Sequence, residues 1–408
     1  MPVPQSRTQW AERQAEELLS VSFIAEFVLR SPQMIDGTQK EVADLLILYK
    51  DGNLLVSQKA QEDPLSRNQQ KNELWVLKAA KNGVGQLCGA LRPSTKAIWC
   101  EHPRRGRVDF STGLPAMSHG IVTVETFRPV ELEGAAADLP LVQGGTPLTY
   151  ISLSDLVNIV LQLRTVPELL RYLDARRELP DAALRLIGDE QPIFEFYLLH
   201  GTLQECRGRE HAKAVVEAAS EQVDEIVEWM AEYQHFSSLL EHVGHELATR
   251  SATCLDGLSQ DLLKHFVSSD GRQNYLLMQE VIADLPLRER AELGRQFDKV
   301  IRHVQAQAHG YAQATARVDS RPDWIFVFGA SKTWERASLL ASVERVMGAA
   351  LAHYQKRRCL MIIDRDGEGS EVAMSCPGLE FTPTEADALN GARLFGGLRV
   401  ASVPLEGF

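Results

Sequence analysis

The stretch from Asp44 to Gln61, DLLILYKDGNLLVSQKAQ, constrains the fold of this chain more than any other. Two short apolar runs are broken by Lys50-Asp51-Gly52, and Asp-Gly between such runs signals a two-residue hairpin, because a type I′ turn needs positive φ at both central positions. With Asp51 and Gly52 as the turn, Asp44 is expected opposite Lys59, Leu46 opposite Ser57 and Lys50 opposite Asn53. Side chains alternate along a strand, so Asp44, Leu46, Ser57 and Lys59 share one face while Leu45, Ile47 and Gln58 take the other. Two distant charges thereby become neighbours. One reading is a cross-strand ion pair at a sheet rim, contributing roughly 0.2–1 kcal/mol. The other is a centre in which a carboxylate holds a hard divalent cation and an ammonium orients water or offsets charge developing on a phosphate.

The flanking sequence supplies partners for this hairpin. AERQAEELLSV (11–21) has helix-forming composition, whereas FIAEFVLR (23–30), EVADLLILY (41–49) and NLLVSQKA (53–60) read as strands by β-branched and aromatic content and short length. A helix is expected over KNELWVLKAAKNGVGQLCGALR (71–92) despite Gly83 and Gly85, with further strands at TKAIWC and GIVTVETF. The order is α-β-β-β-α-β-β.

An acid on one hairpin strand and a triplet ending in lysine on the next, beside helices in this order, resembles the restriction-endonuclease-like PD-(D/E)XK superfamily. The resemblance covers about the first 130 residues and implies a mixed sheet flanked by helices that cleaves nucleic acid with Mg²⁺ or Mn²⁺. On that resemblance Asp44 would bind the metal, Glu41 and Glu17 would assist, and Lys59 would position the attacking water. Gln58 belongs to the variant triplet Ser57-Gln58-Lys59, and Gln86 matches a helix glutamine of many RecB-like members. Lys78, Asn82 and Gln86, spaced by four, form one polar stripe that could face the site. Ser57 stands where the family places a second carboxylate, and a hydroxyl is a weak ligand for Mg²⁺. This residue favours the competing class, a catalytically inactive nuclease-fold protein that binds nucleic acid or a protein partner.

In HPRRGR, Arg104, Arg105 and Arg107 follow a strand, either as a solvated loop or as phosphate contacts. A formal charge of −12 argues against a protein that coats nucleic acid nonspecifically but permits a local basic cleft. DNA is the expected partner in preference to RNA, in a setting such as bacterial restriction or phage defence.

The remaining chain carries weaker signals. ELEGAAADLPLVQGGTPLT (131–149) lacks periodicity and suits an interdomain connection. From Ser152 to about Ala316 nearly everything reads as helix, with a strand, a helix and a hairpin after Pro322. The expected architecture is α/β plus α: a nuclease-like domain (1–135), a helical domain (150–318) and a small α/β domain (322–408). The long amphipathic helices could serve a homo-oligomer or a partner subunit. FGASKT lacks the glycine before lysine that a phosphate-wrapping loop needs and reads as a strand-to-helix turn. His235, His242 and His245 read as a solvated helix face, and DRDGEGSE as a hairpin turn. Six scattered cysteines show no zinc spacing and read as reduced core residues. With 44% hydrophobic and 24% charged residues, no basic-then-apolar leader and no long apolar run, the expectation is a folded cytoplasmic protein off the membrane.

Overall fold

The computed structural model describes residues 27–34, 41–50, 52–60, 68–91, 97–102, 106–111, 114–125, 139–185, 187, 189–249, 271–307, 310–332, 336–365, 369–374, 384–397 and 401–403. The chain divides into two compact units, Met1–Val227 with Phe408 and Glu228–Gly407.

The first unit is built on a mixed sheet. Its strands are β1 (Val28–Met34), β2 (Leu45–Ile47), β3 (Leu54–Lys59), β4 (Ile98–His102), β5 (Gly106–Phe110), β6 (His119–Val124), β7 (Val142–Gln143) and β8 (Thr146–Ser152), in the spatial order β5-β4-β1-β2-β3-β6-β8-β7. β1, β2 and β3 form an antiparallel meander; the chain then passes through helix α1 (Gln69–Ala90) and strands β4 and β5 at the other side of the sheet before it reaches β6, which runs parallel to β3. A parallel neighbour needs such a crossover, because a tight turn can only reverse the chain. β1 continues past the expected end at Arg30, with a register shift between Arg30 and Gln33 that accommodates Pro32, a residue unable to donate to a ladder.

The hairpin register differs from expectation. Leu45 faces Val56, Leu46 faces Leu55 and Ile47 faces Leu54, two residues away from the pairing that an Asp51-Gly52 turn imposes. The turn runs from Tyr49 to Gly52, closed by Gly52 N–H donating to the Tyr49 carbonyl at 2.7 Å, and Lys50 takes the positive φ of 48°. Gly52 serves clearance instead: a Cβ there would lie 2.3 Å from Leu170 Cδ1. An even shift preserves the faces, so Asp44, Leu46, Leu55, Ser57 and Lys59 still share one side.

That side is covered by α1. Asn68 caps the helix through Lys71 N–H, and Val76, Ala79, Ala80, Gly83, Val84 and Leu87 are buried at three- and four-residue spacing against Leu46, Leu55, Val122 and Leu148. Gly83 allows the closest approach, since a Cβ would sit 2.7 Å from Val122 Cγ1 and 3.3 Å from Ser57 Oγ. The opposite side of the sheet meets helix α3 (Val166–Arg176), which follows α2 (Leu153–Leu163); His119 of β6 contacts Asp174 there. The unit is thus a helix–sheet–helix sandwich.

The segment 131–149, expected as a connection, contributes β7 and part of β8. Gly144 and Gly145, at φ of 58° and 86°, make the tight reversal between them. Among the described residues, α4 (Asp181–Leu184), α5 (Gln191–His200) and α6 (Arg209–Ala218) follow, before α7 (Ser220–Thr249), within which the division between units falls.

A fully buried ionic group ties α3 and β8 to the start of α5. Arg176 donates to both carboxylate oxygens of Glu190 (2.5 and 3.1 Å) and to the Tyr150 carbonyl, while the Tyr172 hydroxyl donates to Glu190 at 2.7 Å. Burial alone would push the Glu190 carboxyl up, but Arg176, Arg209 and the Tyr172 hydroxyl outweigh it and hold the group below its usual range.

The second unit contains α8 (Gly271–Ala283), α9 (Leu287–Gln305), β9 (Tyr311–Val318), β10 (Trp324–Ser331), α10 (Arg336–Tyr354), β11 (Arg358–Arg365), β12 (Gly369–Met374), α11 (Glu385–Phe395) and β13 (Ala401–Val403). Its sheet runs β12-β11-β10-β9-β13, with β10 and β11 parallel across α10. All eight residues of β10 are buried, as a central strand between two covered faces requires. Tyr311–Val318, read from sequence as the end of a helical run, is strand β9.

Candidate functional site

The site grows from the place where the β2–β3 ladder stops. Val56 gives its carbonyl to Asp44 N–H at 3.1 Å, so Gln58, two residues on, presents its amide on the same edge past the last paired residue. Asp44 Oδ2 accepts that amide at 2.5 Å, which fixes the carboxylate against the strand end. Lys59 ends β3 on the face covered by α1, and its ammonium lies 3.4 Å from the same oxygen.

α1 supplies the third side. Because Gly83 lets the helix settle onto β3 and β6, Gln86, one turn later, reaches over the strand ends. Gln86 Oε1 accepts from Lys59 Nζ at 2.8 Å and from Ser57 Oγ at 2.8 Å. The Gln58 carbonyl accepts from Lys59 Nζ at 3.0 Å. Three oxygens of different origin, a carboxylate, a main-chain carbonyl and a side-chain amide, therefore converge on one ammonium. The patch is half-sheltered: Ser57 is fully buried, whereas the Lys59 and Asp44 side chains keep 25% and 13% of their exposure.

The donor set fits a hard divalent cation in type. Mg²⁺ takes oxygen ligands and is held through one or two carboxylates with water and substrate phosphate completing the shell. Asp44, the Gln58 carbonyl and Gln86 Oε1 are such oxygens, and the Lys59 ammonium marks where a positive charge is stabilised. Ser57, which directs its hydroxyl to Gln86, adds no negative charge.

Asp44, Lys59 and Gln86 come together in the structure, although the β2–β3 register ends at Leu45–Val56 and the Asp44 amide bonds the Val56 carbonyl, so Asp44 is not paired across from Lys59. Gln58 takes part through its backbone alone. Its side chain projects to the other face, beside its register partner Thr123, and its buried Nε2 and the Thr123 hydroxyl each have no hydrogen-bond partner. Glu41 is exposed, in a bridge with Gln33, and Lys78 is exposed about two turns before Gln86. Arg107 lies on β5, three strand spacings or about 14 Å of sheet from β2. Its guanidinium bonds Asp109 at 2.8 Å and stacks 5.0 Å from the Trp99 ring centre. Glu17, Arg104 and Arg105 lie outside the described residues.

Sequence reasoning missed the contact of Ser57 with Gln86 and the role of Gly83. A glycine amid good helix formers was the available signal, since it marks close backbone approach where it is kept.

Elsewhere, Lys332 of FGASKT donates to the carbonyls of Gln305 and Gln307 at the end of α9, in keeping with a strand-to-helix turn that caps a helix. His235, His242 and His245 lie exposed on α7. Among the described residues, no helix is long and apolar enough to cross a membrane.

No family model matches the chain, and neither a curated protein nor a solved structure matches it.

Proposed function

We propose that the first unit is a restriction-endonuclease-like phosphodiesterase that cleaves nucleic acid, DNA in preference to RNA, with Mg²⁺ or Mn²⁺. The observation that carries this reading is the convergence of Asp44, the Gln58 carbonyl and Gln86 on a single cation position, the one the Lys59 ammonium takes. The topology supports it: an antiparallel meander with β6 parallel to β3 puts Asp44 and Lys59 at neighbouring strand ends, on the face where α1 brings Gln86. The defence setting follows from the resemblance alone.

In this reading Asp44, the Gln58 carbonyl and Gln86 Oε1 hold the metal. When bound, it supplies Lewis acidity toward the phosphate and an activated water. The Gln58 amide keeps the Asp44 carboxylate from turning away. Lys59 faces the phosphate and offsets the negative charge that grows there as water attacks.

A second reading is favoured by Ser57 and by the commitment of Lys59 to all three oxygens. Here the unit keeps the fold without the reaction and binds nucleic acid or a protein partner. Incubating plasmid, single-stranded DNA and RNA with the full chain and Mg²⁺ or Mn²⁺ separates the two. The enzyme reading predicts cleavage that Asp44→Ala and Lys59→Ala each reduce by about 10²-fold or more. Metal-dependent cleavage no greater than that of the variants, on DNA and RNA alike, would leave only the binding module.

A further inference from the structure

The cation position in this unit already has an occupant that belongs to the chain. Lys59 Nζ sits 2.8 Å from Gln86 Oε1, 3.0 Å from the Gln58 carbonyl and 3.4 Å from Asp44 Oδ2. An ammonium has three hydrogens to donate, and three acceptors meet it here. A divalent ion held by the same oxygens would lie at about 2.0–2.1 Å from each. That point is too close to Nζ for both cations to remain, and two positive charges so near in a half-sheltered patch repel strongly.

We propose that Lys59 is a built-in counter-cation that competes with the divalent metal for the Asp44 centre, so that metal loads only as the ammonium swings off its three oxygens. The inference rests on the reading of this patch as a cation centre and adds how loading is controlled. Lys59 can make that movement because its stem is flexible and its side chain is part-exposed. Gln58, by contrast, is fixed by its strand ladder to β6, and Gln86 by the packing of α1. The displaced ammonium needs an anion to replace Asp44, and a phosphodiester of a bound strand is a partner of that chemistry. Metal and polynucleotide are therefore expected to bind synergistically in the unaltered chain, each taking one half of a pair that is closed in their absence.

Calorimetric titration of Mn²⁺ into the full-length chain tests this without recourse to activity. Lys59→Met removes the competitor while keeping the apolar stem; it should bind Mn²⁺ at least tenfold more tightly than the unaltered protein, and Asp44→Asn combined with Lys59→Met should lose that gain. Lys59→Gln, neutral and polar, should show the same direction and guards against a packing artefact of methionine. A phosphorothioate oligonucleotide should tighten Mn²⁺ binding to the unaltered chain and leave binding to Lys59→Met within twofold. The proposal is overturned if neither Lys59 variant changes Mn²⁺ affinity by more than twofold, or if the gain survives loss of the Asp44 carboxylate. These results are separable from the cleavage assay. A chain that shows the affinity pattern yet cuts nothing refutes the phosphodiesterase reading alone, and one that cuts without the pattern refutes the competition alone.

Discussion

Replacing Gly83 by alanine probes the packing that brings Gln86 to the strand ends, and Gly85→Ala in the same helix is its control. Alanine in place of glycine inside an exposed helix segment stabilises by about 0.8–1.0 kcal/mol. Gly85 is exposed with nothing within 4 Å of a new Cβ, so the full gain is expected there. At Gly83 the new methyl would lie 2.7 Å from Val122 Cγ1. Carbon atoms rest at about 3.5–4.0 Å, so roughly 1 Å of movement is needed. Val122 is stiff about χ1 and sits in the centre of the sheet between β3 and β8, which leaves α1 to lift. Overpacking of this kind costs about 1–3 kcal/mol, so the two variants should differ by that amount although their helix propensities are the same. Urea unfolding of both, read as the shift in midpoint at constant slope, measures the difference. Lifting α1 also draws Gln86 away from Lys59 and Ser57, so Gly83→Ala should weaken whatever the Asp44 centre does and Gly85→Ala should not. Equal stabilisation by the two substitutions would show that α1 does not rest on β6 through Gly83.

Two other predictions concern the first unit. Arg176→Met strands the Glu190 carboxylate in a site where both side chains are 1% exposed, and it should cost about 3–5 kcal/mol in urea unfolding; Arg176→Met with Glu190→Leu should recover more than half, and a single-variant cost under about 1 kcal/mol would contradict the network. His119 has its pKa lowered by burial, against the opposing pull of Asp174, so the unfolded chain binds a proton that the folded chain refuses as pH falls below about 6.5. Stability from this group is therefore complete above pH 6.5 and declines as pH drops toward the depressed folded value; His119→Gln should flatten the loss between pH 7.5 and 5.5, and an unchanged slope would argue against a neutral buried imidazole.

Much of the first unit was legible because its signals are local. The apolar runs flanking Lys50-Asp51-Gly52 indicate a hairpin, and the faces of Asp44 and Lys59 follow from alternation alone. The register did not follow, because it depends on which residue accepts positive φ. Gly52 looked like that residue, but its lack of a side chain is used to admit Leu170, a contact 118 positions distant that no local rule contains. The patch survived the error because moving the turn centre by one residue changes the pairing by two. β7 and β8 carried a readable Gly-Gly hairpin signal that the surrounding Pro, Leu and Ala obscured. β9, YAQATARV, carries three alanines and a glutamine, which favour helix in isolation; its strand state comes from pairing with β10 and β13. The buried Arg176–Glu190 pair was invisible in sequence, since charged residues read as surface until tertiary packing encloses them.

The side chain of Lys59 reports directly on the central claim in the unaltered protein, with variants used only for assignment and control. In protein labelled with ¹³C at lysine Cε, with the Lys59 signal assigned through Lys59→Arg, the ammonium tied to Asp44, Gln58 and Gln86 should give a distinct resonance that moves saturably as Mg²⁺ is added. Asp44→Asn should abolish the movement. A Lys59 signal that stays in place while Mg²⁺ binds at Asp44, or one indistinguishable from freely rotating surface lysines, would contradict the account.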